Sequence, residues 1–173
     1  MYYSTIDKLE ASGYGHYEIS NFARPGFECR HNLNYWNRGG YLGIGAGAHG
    51  FIRGARIRNA GDIDKYMNAI EEGRLPVEES NEISPGDAVK ESIFLGLRKM
   101  EGLNIEELTQ TFGVDVVQAA GELVEEGLLE SDGGHLRLTR KGIVVSNTVI
   151  IQLFEALEKC YTGLLKNLPS SGE

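Results

Sequence analysis

Residues 84–142, SPGDAVKESIFLGLRKMEGLNIEELTQTFGVDVVQAAGELVEEGLLESDGGHLRLTRKG, decide the fold class of the chain. Ser84-Pro85 reads as an N-cap followed by proline at the first helical position, with Asp87 in the first turn. Val89, Ile93, Phe94, Leu97 and Met100 then make an apolar stripe at helical spacing. Asn104 caps a second short helix carrying Ile105, Leu108 and Phe112 and ended by Gly113. Asp115 opens a third, with Val116, Ala119, Ala120, Leu123 and Val124, which Gly127 stops. Leu128–Leu129 and His135–Leu138 flank Asp132-Gly133-Gly134, a strong hairpin turn signal. From Thr139 the pattern is helical again, with Ile143, Ile150, Leu153, Phe154 and Leu157 expected to face inward. Three helices, a two-stranded wing and a helix are the order of a winged-helix domain, expected over 84–160. Residues 161–173 are expected to be a flexible tail.

A winged helix that binds DNA places its third helix in the major groove. Here that helix is DVVQAAGELVEEG, with four acids and no Lys or Arg. It would repel phosphates. Near the wing stand only Arg137, Arg140 and Lys141. No nucleic-acid partner is expected, and a structural or protein-contact role is the better reading of this domain.

Upstream, residues 2–12 read as a short helix ending at Gly13, and His16–Ser20 as a strand. Residues 21–41 look irregular, being rich in Asn, Gly and Pro. Leu42–Gly54 and ARIRN read as two extended segments joined at Arg53-Gly54. Asp62 is an N-cap for a helix with Ile63, Tyr66, Met67 and Ile70, stopped by Gly73. Leu75–Ile83 is expected to be extended. The whole is α+β, divided at 83/84.

The chain has 173 residues and a formal net charge of −8. It holds no apolar run of about 18 residues, so no membrane span is expected. MYYSTIDKLE has neither the basic start nor the apolar core of a signal peptide, and a cytoplasmic location is expected. Cys29 and Cys160 are its two cysteines. They exclude a disulfide framework, a four-cysteine zinc site and a self-sufficient iron–sulfur cluster.

The charge is uneven. Between Arg24 and Arg58 lie six arginines and one acid, Glu28, and residues 14–51 hold eight of the fifteen aromatics. Arginines capture carboxylate or phosphate bidentately, and aromatics give flat contact area. Two readings stand: a site for a planar anionic ligand, or a loop-rich surface with ordinary packing aromatics. His16 reads as a packing histidine. His31, in the irregular segment beside Asn32, Tyr35 and Trp36, has the chemistry to ligate haem iron while arginines pair with propionates. Cys29-x-His31 supplies only two potential ligands and does not make a metal site. Gly45-Ala-Gly47-Ala-His49-Gly50 formally matches G-x-G-x-x-G, but a strand follows it where a dinucleotide site needs a helix. Its glycines let backbone approach a ligand or another chain segment closely, and both options remain.

GYGHYEISNFARPGFECRHNLNYW (13–36) and YLGIGAGAHG (41–50) resemble the HemW-type haem chaperones, radical-SAM proteins also described as oxygen-independent coproporphyrinogen III oxidases. LTRKGIVVSN (138–147) resembles the end of that family's C-terminal domain. The resemblance implies that roughly half of a full-length relative precedes Met1. That half would be a partial (β/α) barrel whose CxxxCxxC loop holds a [4Fe–4S] cluster that binds S-adenosylmethionine. This sequence has no CxxxCxxC, so no cluster and no catalysis are expected of the chain alone, and no catalytic residue is assigned.

By the same resemblance, residues 1–83 are a remnant of the barrel edge. His31, Asn32, Tyr35 and Trp36, with Arg30 beside them, are the implied haem-binding residues, His31 being the candidate iron ligand. Ala23, Gly45, Gly47 and His49 are implied to line the S-adenosylmethionine pocket. The position of His49 is apolar in the porphyrinogen-oxidising relatives, which favours the chaperone. Implied partners are haem or porphyrin, a haem-receiving protein, and a second copy pairing through the open barrel edge. Two alternatives stand: a portion of a coproporphyrinogen III oxidase, and a winged-helix interaction module without ligand chemistry.

Overall fold

Capping side chains set where several of the helices begin, and the computed structural model, which describes residues 1–161, shows their contacts. The chain opens with helix α1 (Tyr2–Ala11), strands β1 (Gly15–Glu18) and β2 (Asn21–Ala23), and helix α2 (Arg30–Trp36). Strands β3 (His49–Ile52) and β4 (Ala55–Asn59), helix α3 (Ile63–Glu71) and strand β5 (Val77–Glu82) follow. Then come α4 (Pro85–Gly96), β6 (Leu103–Asn104), α5 (Ile105–Phe112), α6 (Val116–Ala119) and α7 (Gly121–Glu125). The described chain ends with β7 (Leu129–Asp132), β8 (His135–Leu138), α8 (Arg140–Val144) and α9 (Ser146–Cys160). Asp62 accepts from the Lys65 N–H at 2.9 Å and Asn104 from that of Glu107 at 2.8 Å. Asp115 accepts from Val117 and Gln118, and Thr139 from Gly142 at 3.0 Å. Each satisfies donors that a helix start leaves open, stabilising it by about 1 kcal/mol.

The chain packs as two compact units. One joins Met1–Asn37 to Pro85 onward, and the other is Arg38–Ser84. In the first, Val89, Ile93 and Leu97 of the α4 segment, Leu108, Val116, Leu123, Leu136, Ile150 and Leu153 form one buried cluster. A three-stranded antiparallel sheet in the order β6-β8-β7 covers it, with Leu103 opposite Leu136 and Leu129 opposite Leu138. Tyr2 and Ile19 pack on the same cluster. The Ile19 N–H donates to Arg98 at 2.9 Å and the Met100 N–H to Tyr17 at 3.2 Å. Those backbone bonds explain why the packing groups the first 37 residues with the second half, whereas the change of sequence pattern puts the division at 83/84.

In the second unit, β3, β4 and β5 form an antiparallel sheet in that order. His49 stands opposite Arg58, and the β3–β4 turn falls at Arg53-Gly54, both with positive φ. Strands β4 and β5 and the Asp62 helix occur where the sequence places them, whereas of the extended segment expected over Leu42–Gly54 only His49–Ile52 is strand and the glycine-rich part before it is a loop.

Five local expectations are corrected. The segment 21–41 is not irregular throughout: it holds β2 and α2. The third helix of the second half breaks at Ala120 into α6 and α7, and the last breaks at Val145, φ −117°, into α8 and α9. The expected two-stranded hairpin, β7–β8, pairs with a third strand, β6, which has too few residues to carry an alternating pattern. Phe94 is more than one-third exposed, turned out of the core its stripe implied. The tail expected over 161–173 lies, Tyr161 apart, outside the described residues.

Candidate functional site

The helix α2 brings five of the sequence-predicted residues together in one seven-residue element, RHNLNYW. Cys29, extended at φ −67°, ψ 102°, precedes it. At 3.6 residues per turn, residues four apart share a face. His31 and Tyr35 do so, their rings edge-to-face with centroids 4.8 Å apart. Arg30 and His31 are exposed, while Asn32, Tyr35 and Trp36 are half-buried. The imidazole therefore stands at the surface, braced by a phenol edge.

Trp36 meets a residue that the motif does not include. The Arg98 guanidinium carbon lies 5.1 Å from the Trp36 ring centroid and 5.3 Å from that of Phe94. Such cation–π stacking contributes about 0.5–2 kcal/mol. The Arg98 Nε and Trp36 Nε1 donors are both buried and have no hydrogen-bond partner. Next to them, the Lys99 ammonium donates to the Asn37 side-chain oxygen at 2.7 Å.

Ala23 is buried on β2, opposite Gly15 of β1. His16 stacks on Phe22 at 4.3 Å and its Nε2 lies 3.2 Å from the Ile19 carbonyl. It is a packing histidine. Glu18 is fully buried: Oε1 accepts from the Asn21 amide and Oε2 has no partner. Burial, with a smaller contribution from the Glu18 charge, pushes the Tyr2 phenol above its ordinary pKa.

In the second unit, the glycine-rich motif is a loop fastened from behind. Asn59, almost wholly buried, donates through its side-chain amide to the carbonyls of Gly43 at 3.0 Å and Gly45 at 3.1 Å. The Gly47 N–H donates to Ala60, and the Gly45 N–H to the Tyr66 hydroxyl. A Cβ on Gly43 would stand 2.3 Å from the His49 carbonyl, so close chain packing requires glycine there. Gly45 and Gly47 have φ of 113° and 70°, which only glycine adopts freely, and Gly45 has no atom within 4 Å on its Cβ side. Strand β3, not a helix, follows at His49, which is exposed. With no helix opening at the motif itself, it lacks the dinucleotide-binding architecture.

Arg38 and Arg56 each place a guanidinium carbon 5.7 Å from the Phe51 centroid. Arg58 pairs with Glu79 at 2.6 Å and Glu78 at 3.0 Å. The hydrogen bond from Arg58 holds the Glu79 carboxyl below its ordinary pKa. Of the functional candidates, Arg98 and Asn59 are absent from the sequence reading: one follows an apolar helical stripe, the other ends an ordinary strand. Among the described residues no group of three or more His, Cys, Asp or Glu can hold a metal ion. Cys29 and Cys160 are both exposed, and two thiols do not fit a [4Fe–4S] cluster.

Residues 83–145 match the family described as the HemN C-terminal domain. Over that span the chain is similar to a HemN C-terminal domain. That domain begins two residues before α4 and ends after α8, so it contains Arg98 and the helices of the buried cluster other than α9. Beyond it, the likeness runs upstream through the α2 motif. The chain is 37% identical over 153 residues to the haem chaperone HemW of Bacillus subtilis, covering 86% of this chain and 40% of that protein. It is 38% identical to the haem chaperone HemW of Lactococcus lactis over the same shares. Among solved structures it resembles the Escherichia coli coproporphyrinogen III oxidase HemN, described as a radical-SAM enzyme. There the TM-score is 0.64 at 18% identity, over 87% of this chain and 39% of that one. The chain thus spans about 40% of the length of these HemW relatives. No helix among the described residues is long and apolar enough to cross a membrane.

Proposed function

We propose that this chain is the C-terminal part of a HemW-like radical-SAM haem chaperone and contributes haem-binding residues through α2. The observation that carries the reading is the exposed His31 imidazole, set edge-on to Tyr35 on a short helix. A neutral imidazole is a standard axial ligand of haem iron, and the Tyr35 ring limits the directions in which it can turn. Asn32 and Trp36, one turn apart on the neighbouring face, add a polar and a flat contact, and Arg30 adds an exposed cation. Haem fits this donor set, which also holds one buried donor without an acceptor, Trp36 Nε1.

Gly45, Gly47 and His49 are assigned to S-adenosylmethionine binding, and Ala23, in the other unit, is assigned to it on the resemblance alone. The open space beside Gly45 supports that assignment, because backbone can meet a ligand there. The cysteines do not fit a cluster, so no radical step is assigned to the chain. The helix–strand order α4-β6-α5-α6-α7-β7-β8 supports a winged-helix reading of the second half, and the resemblance to the HemW-type chaperones carries the reading of residues 1–83 as a barrel edge. An unpaired edge there offers a route to self-association. A haem-receiving protein and a cytoplasmic setting complete the proposal.

Haem titration of the full chain tests it. A Soret shift is expected with the wild-type protein and a loss of that shift with His31→Ala. No shift with wild type, or an undiminished shift with the variant, removes the assignment.

A further inference from the structure

We propose that Arg98, with the Trp36 indole N–H, is a carboxylate-binding site that recognises a propionate of the porphyrin held by α2. The inference rests on the haem reading above but on different atoms. Arg98 is half-buried, its guanidinium lies over the Trp36 and Phe94 rings, and it makes no ion pair among the described residues. The buried acid Glu18 lies opposite Lys99 in the backbone register, and its Oε1 accepts a hydrogen bond from the Asn21 amide. Arg98 Nε and Trp36 Nε1 belong to side chains in face contact, and both donors are covered without an acceptor. Covered donors without acceptors are costly in a folded protein, and an ionised acceptor relieves them most strongly.

Guanidinium stacked on two rings also has its rotation restricted, so its donor fork is set before a ligand arrives. The ligand class follows from the surroundings. Lys99 adds a second cation, Trp36 and Phe94 offer flat apolar area, and Phe94 remains partly exposed. A planar macrocycle bearing carboxylates satisfies all of these at once. Phosphate would use the cations but leave the aromatic faces without contact.

Haem and haem dimethyl ester, titrated separately into the full chain and followed by the Soret band, decide the matter. Both keep the iron that His31 would bind, and only haem has the free carboxylates. Wild type is expected to bind haem about tenfold or more tighter than the diester. Arg98→Ala is expected to bring the two affinities together, and Arg98→Lys to retain part of the preference. Trp36 is the sole tryptophan, so its emission checks that each variant keeps the local fold. Equal binding of acid and ester by wild type overturns the proposal while leaving haem binding intact. So does an Arg98→Ala variant that weakens both ligands equally, because that is the signature of a structural role. If neither ligand shifts the Soret band, the haem reading fails and this proposal with it.

Discussion

The backbone N–H of Ile19 donates to the carbonyl of Arg98 across 2.9 Å, fastening β1 to the segment just beyond α4. The same segment supplies the Arg98 side chain that stacks on Trp36. One short stretch therefore both holds the N-terminal strand and braces the helix of the candidate site.

Tyr2 reinforces this seam, its hydroxyl donating to the Ile19 carbonyl at 2.7 Å. Tyr2→Phe removes the bond and keeps the ring. A net neutral hydrogen bond contributes about 0.5–1.5 kcal/mol, so the variant should lose that amount in urea unfolding. An unchanged midpoint would show that the hydroxyl does not help to hold the seam.

Asn59 is the tie behind the glycine loop. Asn59→Ala leaves the Gly43 and Gly45 carbonyls without their side-chain donor in a nearly buried place. A cost of about 2–3 kcal/mol is expected. Hydrogen exchange should quicken first at Gly45 and Gly47, whose own amides hold the loop to Tyr66 and Ala60. If exchange there is unaltered, the loop is held by its backbone contacts alone.

Glu79 makes a prediction in pH. Its folded pKa lies below that of an ordinary carboxylate, because Arg58 donates to it. The unfolded chain binds the proton more readily. The stabilisation is therefore complete above the ordinary range near about 4.3 and is lost as pH falls through the lower folded value. The pair is exposed, so the effect should be small and weaken with salt. Carboxyl-resolved NMR should show Glu79 titrating below its normal range, and Arg58→Gln should return it there.

The capped elements are legible in the sequence because their information is local. Asn104, Asp115 and Thr139 each announce a helix by a side chain that bonds within its own next turn. Helix α2 is different. Asn32 and Asn34 favour turns, Cys29 makes no side-chain cap bond, and Trp36 packs against Arg98 far along the chain. Tertiary packing decides that helix, so periodicity does not reveal it. Strand β6 is likewise visible only through its partner, since two residues carry no pattern. The motif residues His31, Asn32, Tyr35 and Trp36 are readable as a string, whereas Arg98 looks like an ordinary cation following a helix. Its significance lies in the rings on either side and in the lack of an acceptor, and both are properties of three-dimensional contact.

The first unit is discontinuous along the chain, and residues 38–84 form an excursion between its two parts. During synthesis, α1 and β1 emerge well before the Arg98–Met100 segment that completes their hydrogen bonding. Closure of that seam is a non-local event, entropically costly once but only weakly sensitive to distance. Each doubling of an intervening flexible loop adds about 0.6 kcal/mol. Evolution could therefore lengthen or trim the excursion, and tune whatever its glycine loop contacts, with little penalty to the unit that carries His31.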